Sequence, residues 1–303
     1  MDLTRGGDLS AGDTSSTEVT ITTALVRDLV AAQFPQWADL PVAPVSTQGV
    51  DNATYHLGAD MSVRLPRFAR WEGQVEREQT WLPRLAPHLP LTVSQPLERG
   101  VPGQGYPLPW SIYRWLDGDR VDPDRLDERQ AATDLAAFLG ALWSIDTAGG
   151  PPPEWSNGFR GVDLDDVSYS PVVAWVLQQK IDALVGVVDT DAITAVWERG
   201  LAAPKWARPG VWIHGDPAAS NLLGDGPRIT AVIDFGTLAV GDPASDLIAA
   251  WTVLTPRGRD VFRAALDVDD ATWARGRVWG LSGLLPGPGG PLDRQRLEAL
   301  LTD

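Results

Sequence analysis

His214-Gly215-Asp216-Pro217-Ala218-Ala219-Ser220-Asn221, followed by Ile233-Asp234-Phe235-Gly236, is the text that decides the fold of this chain. An apolar run, Val211-Trp212-Ile213, feeds the first stretch, and between the two lie Leu222-Leu223, the turn Gly224 to Arg228, and the apolar Ile229 to Ile233. The spacing predicts a β-hairpin. Pairing Leu222 with Ile233 and Leu223 with Val232 sets Asn221 opposite Asp234 at its open end. An amide oxygen and a carboxylate side by side suit Mg²⁺, and so small a ligand set leaves room for phosphate oxygens arriving with a nucleotide. Asp216, on the loop that feeds the pair, is then placed to orient an attacking hydroxyl. A lone Asp or Asn in a loop is usually a turn or cap residue; three converging on one point are not.

Upstream, Val42 to Leu65 reads as short strands: Ala43 to Ser46, Ala53 to Leu57 after the turn Gln48 to Asn52, and Met61 to Leu65 ended by Pro66. A helix follows, with Trp71, Val75, Leu82 and Leu85 on one apolar stripe and Glu78 stranded inside it. A buried carboxylate wants a cation, and Arg64 on the neighbouring strand is the candidate. Pro107 to Trp115 forms a further strand. From Asp127, an N-cap with Gln130 three residues on, the chain turns mostly helical. The helices expected are Pro171–Val185, Asp191–Leu201, Pro243–Leu254, Arg257–Leu266, Asp270–Leu285 and Leu292–Leu301. The fold class expected is α+β with two lobes and a cleft: a small amino-terminal β-sheet lobe with one helix, and a larger, mainly helical lobe. The boundaries read as a frayed tail over 1–17, a nucleotide-binding lobe over 18–116 and a catalytic and substrate-binding lobe over 117–303, joined near Leu116 to Pro123.

Composition narrows the chemistry. In 303 residues, 25 Lys and Arg face 40 Asp and Glu, a formal charge of −15, which argues against nucleic acid or an anionic membrane as partner. Without cysteine there is no thiol nucleophile, disulfide or zinc-thiolate site. No apolar run is long enough to span a bilayer, and the expectation is a soluble, cytoplasmic protein. The only lysines are Lys180 and Lys205, so a lysine phosphate clamp in the first half is impossible. A metal-dependent hydrolase built on His214 and Asp216 lacks further histidines nearby.

The pattern His-x-Asp-x-x-x-x-Asn, then Ile-Asp-Phe-Gly, then Gly241-Asp242-Pro243-Ala244-Ser245-Asp246-Leu247, resembles the aminoglycoside phosphotransferase family, relatives of the protein-kinase fold, over about Val42 to Leu285. The resemblance implies Asp216 as catalytic base, Asn221 and Asp234 as Mg²⁺ ligands, and His214 and Asp246 as braces of the catalytic loop. It implies that Arg64 takes the place of the usual phosphate-gripping lysine, as in relatives similar around Arg64 to Arg67, with Glu78 as its partner. Gly49 and Asn52 fall in the nucleotide loop, and backbone groups near Arg114 and Leu116 in the hinge would meet adenine. The implied cofactors are ATP or GTP with Mg²⁺, and the partner is a small hydroxylated molecule. The resemblance implies transfer of the terminal phosphoryl group to a hydroxyl, foremost of a cationic aminoglycoside-like or other antibiotic; a choline- or homoserine-like metabolite or a macrolide is the alternative acceptor, and a catalytically silent nucleotide-binding module is the alternative of a different class. Two acidic clusters before large-lobe helices, Asp163, Asp165 and Asp166, and Asp267, Asp269 and Asp270, could receive a polyamine, although acids there also cap helices. Trp175, Trp197, Trp273 and Trp279 suit an apolar acceptor equally.

Overall fold

The computed structural model describes residues 17–49, 51–166, 177–286 and 290–303. The expected tail, apart from Thr17, the residue Trp175 and the first half of the helix expected at Pro171–Val185 lie outside these. The chain divides into two compact units, residues 1–80 with Gln95–Trp115, and Trp81–Ser94 with Leu116–Asp303.

The first unit holds α1 (Thr23–Gln33), β1 (Val42–Pro44), β2 (Asn52–Leu57), β3 (Met61–Pro66) and the start of α2 (Glu72–Leu85). Beyond β4 (Thr92–Val93), it adds β5 (Pro96–Gly100) and β6 (Trp110–Arg114). Its sheet runs β1-β2-β3-β6-β5, every pair antiparallel. Alternation along β2 buries Ala53, Tyr55 and Leu57, and these meet Val26, Leu29 and Val30 of α1 in one core. A small lobe with one helix is therefore corrected to one with α1 as well as α2. The opening helix was not read from the sequence because it presents only three buried apolar residues in eleven. Gly100 of β5 is required by Trp110, since a Cβ there would lie 2.0 Å from the indole.

In the second unit, Leu82 and Leu85 from the end of α2 and Val93 of β4 join the larger core, which is why segment 81–94 groups there. After β7 (Asp119–Arg120), α3 (Glu128–Trp143) is capped by Asp127 Oδ1, which accepts from Gln130 N–H at 3.0 Å. The Gln130 amide turns to Asp134 instead of closing the box. Leu135, Phe138, Leu139 and Leu142 make its buried face, as the periodicity predicts. Helices α4 (described over 177–182) and α5 (Thr190–Ala202) follow. Then come β8 (Val211–Ile213), β9 (Leu222–Gly224), β10 (Ile229–Val232) and β11 (Ala239–Gly241). The chain ends in α6 (Ile248–Thr252), α7 (Pro256–Leu266), α8 (Asp270–Leu284) and α9 (Arg294–Leu301). The strands form a sheet ordered β4-β10-β9-β7 and a two-stranded β11-β8 ribbon. Among the described residues no helix is long and apolar enough to cross a membrane.

Candidate active site

Strand β8 is short and buried, and it delivers His214, itself wholly buried, to the turn that follows. Its imidazole is fully used. Nδ1 accepts from the Asp216 N–H at 3.2 Å and Nε2 faces the Ile233 carbonyl at 3.1 Å, which assigns the ring proton to Nε2. Burial holds the His214 pKa below its ordinary value, opposed by the nearby charges of Asp216 and Asp234. A neutral ring with both nitrogens engaged has no free site from which to act as a base. Gly215 takes φ 85°, with Arg160 Cβ only 2.9 Å from where its own Cβ would sit, so the turn requires glycine.

Asp246 lies beneath this turn. The carboxylate is wholly buried and accepts from Gly215 N–H (2.6 Å), His214 N–H (3.3 Å) and Trp143 Nε1 (2.9 Å). Burial outweighs these donors and pushes its pKa up to about 7. Asp242, at the start of the same 3₁₀ segment, is buried and bound by Arg275, with Nε at 2.7 Å and Nη2 at 3.2 Å. No sequence pattern paired those two residues, which lie 33 positions apart.

The expected hairpin register is corrected by one residue. Leu222 pairs with Val232 and Leu223 with Ala231, with a bulge between Ile229 and Ala231. The Ile233 N–H donates to the Asn221 carbonyl at 2.9 Å, so Ile233, not Asp234, stands opposite Asn221. Asp234 leaves the ladder in the left-handed region, φ 65° and ψ 67°. The Asn221 side chain is fixed: Nδ2 donates to the Asp216 carbonyl (2.9 Å) and to Asp216 Oδ2 (3.2 Å). That leaves Oδ1 as the oxygen to offer a ligand. Among the described residues no group of three or more His, Cys, Asp or Glu could hold a metal by itself. Two hard oxygens, Asn221 Oδ1 and the Asp234 carboxylate, fit Mg²⁺ that shares phosphate oxygens with a nucleotide, and do not fit a self-sufficient metal cage.

In the first unit, Arg64 Nη1 lies 3.4 Å from Glu78 Oε1, with the carboxylate side chain 3% exposed. The Tyr113 hydroxyl also donates to Glu78, which the sequence did not announce. Burial and the Glu78 charge both raise the Tyr113 pKa. Asn52 is buried with Nδ2 at 3.4 Å from Gln74 Oε1, and Gly49 sits in the bend before it. Gln48, also unread, ties this bend: its amide bonds the Val45 and Thr54 carbonyls (3.1 and 2.8 Å) and accepts from Thr54 N–H (3.0 Å). The Arg114 N–H is already given to Gln95 O at 2.9 Å and that of Trp115 to Asp60 O at 2.7 Å. The Arg114 N–H is therefore engaged, and the Leu116 N–H donates to no described residue.

The acidic clusters have internal uses. Lys205 Nζ lies 2.6 Å from Asp165 and 3.6 Å from Asp163. Asp269 is the N-cap of α8, accepting from Thr272 N–H at 2.7 Å, with Arg208 at 3.4 Å. Asp270 is the first residue of α8 and pairs with Arg263, while Asp267 closes α7 in a left-handed conformation. Asp166 N–H bonds the Asp163 carbonyl at 2.9 Å. These six do not converge on one place among the described contacts, and at Asp269 the helix-capping reading holds.

A model of the phosphotransferase enzyme family matches residues 42–279. No curated protein sequence matches the chain. Among solved structures, the GDP complex of wild-type aminoglycoside 2'-phosphotransferase-IIIa is similar at 19% identity, covering 93% of this chain and 97% of that one, TM-score 0.67. The GDP and kanamycin complex of APH(2")-IIia is similar at 20% identity over 91% and 94% of the two chains, TM-score 0.66. The apoenzyme of macrolide 2'-phosphotransferase MphH from Brachybacterium faecium is similar at 23% identity over 86% and 88%, TM-score 0.53. At these identities the likeness is one of fold, and the fold is the kinase-like one.

Proposed function

The chain belongs to the phosphotransferase enzyme family, and from that premise we propose that it transfers the terminal phosphoryl group of ATP or GTP to a hydroxyl of a small molecule. The observation that carries this reading is the Asn221 amide, which clasps Asp216 through both its carbonyl and its carboxylate and leaves Oδ1 open. One side chain thereby fixes the base and supplies a metal ligand. Asp216 accepts the hydroxyl proton as the acceptor oxygen bonds to phosphorus, the bridging P–O bond breaks and the nucleoside diphosphate leaves. Mg²⁺, held by Asn221 Oδ1 and Asp234, would neutralise phosphate charge. His214 and Asp246 hold the loop, since the buried carboxylate takes the two N–H groups that would otherwise be orphaned in the turn. On the nucleotide side, Arg64 grips phosphate and is oriented by Glu78. The bend at Gly49 and Asn52 covers the phosphates, and the Arg114 carbonyl and Leu116 N–H meet the base.

The acceptors named for the similar structures, an aminoglycoside and by name a macrolide, make an antibiotic hydroxyl one acceptor class to test, with resistance in the cytoplasm as the role. A choline- or homoserine-like metabolite is the other. A charge of −15 favours a small molecule over nucleic acid or a membrane.

The test is a screen of hydroxylated antibiotics and metabolites for ATP-dependent gain of one phosphoryl group. Asp216→Asn should abolish transfer while Mg-nucleotide still binds, and Asn221→Ala or Asp234→Ala should weaken Mg-nucleotide binding. Normal turnover by Asp216→Asn would remove the assignment of the base. A wild type that binds Mg-ATP and consumes none with any acceptor would favour a silent nucleotide-binding module.

A further inference from the structure

Arg160 sits beside the catalytic turn on a loop built to hold it. The 3₁₀ turn Trp155–Asn157 leads into Gly158 (φ 65°), Phe159 (φ 56°), Arg160 and Gly161 (φ 87°), three left-handed residues in four. Such a run persists only where its surroundings over-determine it. Asn157, wholly buried, does so: Nδ2 donates to the Arg160 carbonyl (3.0 Å) and the Thr237 carbonyl (3.2 Å), and Oδ1 accepts from Glu154 N–H (2.9 Å). The Gly161 carbonyl accepts from Asp242 N–H at 2.9 Å.

From this anchor the Arg160 guanidinium lies over the Trp279 ring of α8, 4.8 Å from its centroid. Stacking covers the face and leaves the donor edge open. Burial, and after it the Arg160 charge, lowers the pKa of Lys180 in α4, and its Nζ donates to the Leu285 carbonyl at 2.9 Å. Among the described residues neither cation has a carboxylate at ion-pairing distance. Of the nearest acids in sequence, Asp163 and Asp165 are taken by Lys205, and Asp182, two residues beyond Lys180, accepts from the Gln178 amide at 2.8 Å. Of the segments outside the described residues, 167–176 and 287–289 contain no Asp or Glu, and the acids of 1–16 are Asp2, Asp8 and Asp13. In a chain with 40 acidic and 25 basic residues, two cations whose charges act on each other, with no ion-pair partner among the described residues, form an unfavourable arrangement that a bound anion would relieve.

We propose that Arg160, backed by Lys180, receives an anionic group, carboxylate or phosphate, carried on the same small molecule as the reacting hydroxyl, and thereby selects an acidic acceptor. The proposal rests on the phosphotransferase reading and names the acceptor class for it. A grip on the transferring phosphoryl is the less fitting use of Arg160. Its guanidinium stacks on Trp279 of α8, an element that carries none of the residues assigned to the nucleotide, although its charge also reaches His214.

The test uses pairs of hydroxyl compounds that differ only in an acidic group: sugar and uronic acid, sugar and sugar phosphate, homoserine and its amide, with kanamycin as a cationic member. Wild type should use acidic members with at least about tenfold higher kcat/KM, read mainly in KM, the size expected for a charged, forked hydrogen bond. The carboxylate and phosphate arms tell which group is read. Arg160→Gln should collapse the preference, Arg160→Lys restore part of it, and Lys205→Gln leave it intact. Equal or better use of neutral or cationic members, or loss of kcat by Arg160→Gln for both members of a pair alike, would overturn the proposal.

A second measurement needs no turnover. At constant ionic strength set with chloride, succinate should raise the melting temperature of wild type and not of Arg160→Gln; the same shift in both, or none in either, counts against the site. A wild type that fails to bind Mg-ATP would instead remove the phosphotransferase reading and the acceptor class with it.

Discussion

Asp246 carries three N–H donors in a place closed to water, and its titration should be visible in the stability of the protein. With a pKa pushed up to about 7 against an ordinary value of 3.8, the folded state binds this proton more tightly than the unfolded chain. The stability this group contributes is therefore fully present below pH 3.8 and declines up to about pH 7, at roughly 1.4 kcal/mol per pH unit. Urea midpoints of wild type and Asp246→Asn should converge as pH rises across that window, and a constant gap would show that the carboxylate stays ionised throughout. Below pH 3.8 Asp246→Asn should cost about 1 kcal/mol, because its NH₂ group brings one hydrogen more than the protonated carboxyl it replaces. Single residues were legible where chemistry demands a side-chain type at a fixed spacing: Asp216, Asn221 and Asp246 are joined by hydrogen bonds around the turn after β8, and Asp234 follows the strand that pairs beside Asn221. Gln48, Asn157 and Arg160 were not, since they act through backbone carbonyls or a loop conformation that leaves no pattern in the letters.

Between elements, the ion pair of β3 and α2 should show as coupling. Glu78 is closed to water and receives both Arg64 and the Tyr113 hydroxyl, so removing Arg64 takes a cation away from a buried charge. A double-mutant cycle of Arg64→Ala and Glu78→Ala on nucleotide affinity and on stability should be non-additive, the stability loss of the Arg64 variant reaching roughly 3 kcal/mol. Strict additivity would dissolve the pair. Stranded Glu78 was enough to predict this contact, because an acid inside an apolar stripe has few ways to be satisfied. Register was harder: the bulge near Thr230 adds a residue to β10 only, which alternation in a two-faced buried strand does not reveal. Edge strands of two residues, β4 and β7, lie below the length at which any periodicity exists. The helices α3, α5 and α8 were legible because their buried apolar residues and Asp caps agree, and α7 because Pro256 opens an amphipathic run.

For the molecule as a whole, the charge of −15 implies self-repulsion that salt relieves. The melting temperature should climb by a few degrees between about 0.02 and 0.5 M NaCl; a flat or falling curve would mean that the screened ion pairs matter more than the net field. Two lysines in 303 residues have another use. Amine-reactive reagents meet, besides the terminal amine, only Lys180 and Lys205, and the two should respond in opposite ways. Asp165 and Asp163 hold Lys205 protonated, raising its pKa, whereas burial and Arg160 lower that of Lys180, so near neutral pH the free-amine fraction is larger at Lys180. Asp165→Asn should speed labelling of Lys205 alone. Mass spectrometry of two peptides then amounts to a footprint of the side proposed for the acceptor, with an internal reference, and the scarcity of lysine turns the unaltered protein into its own occupancy gauge.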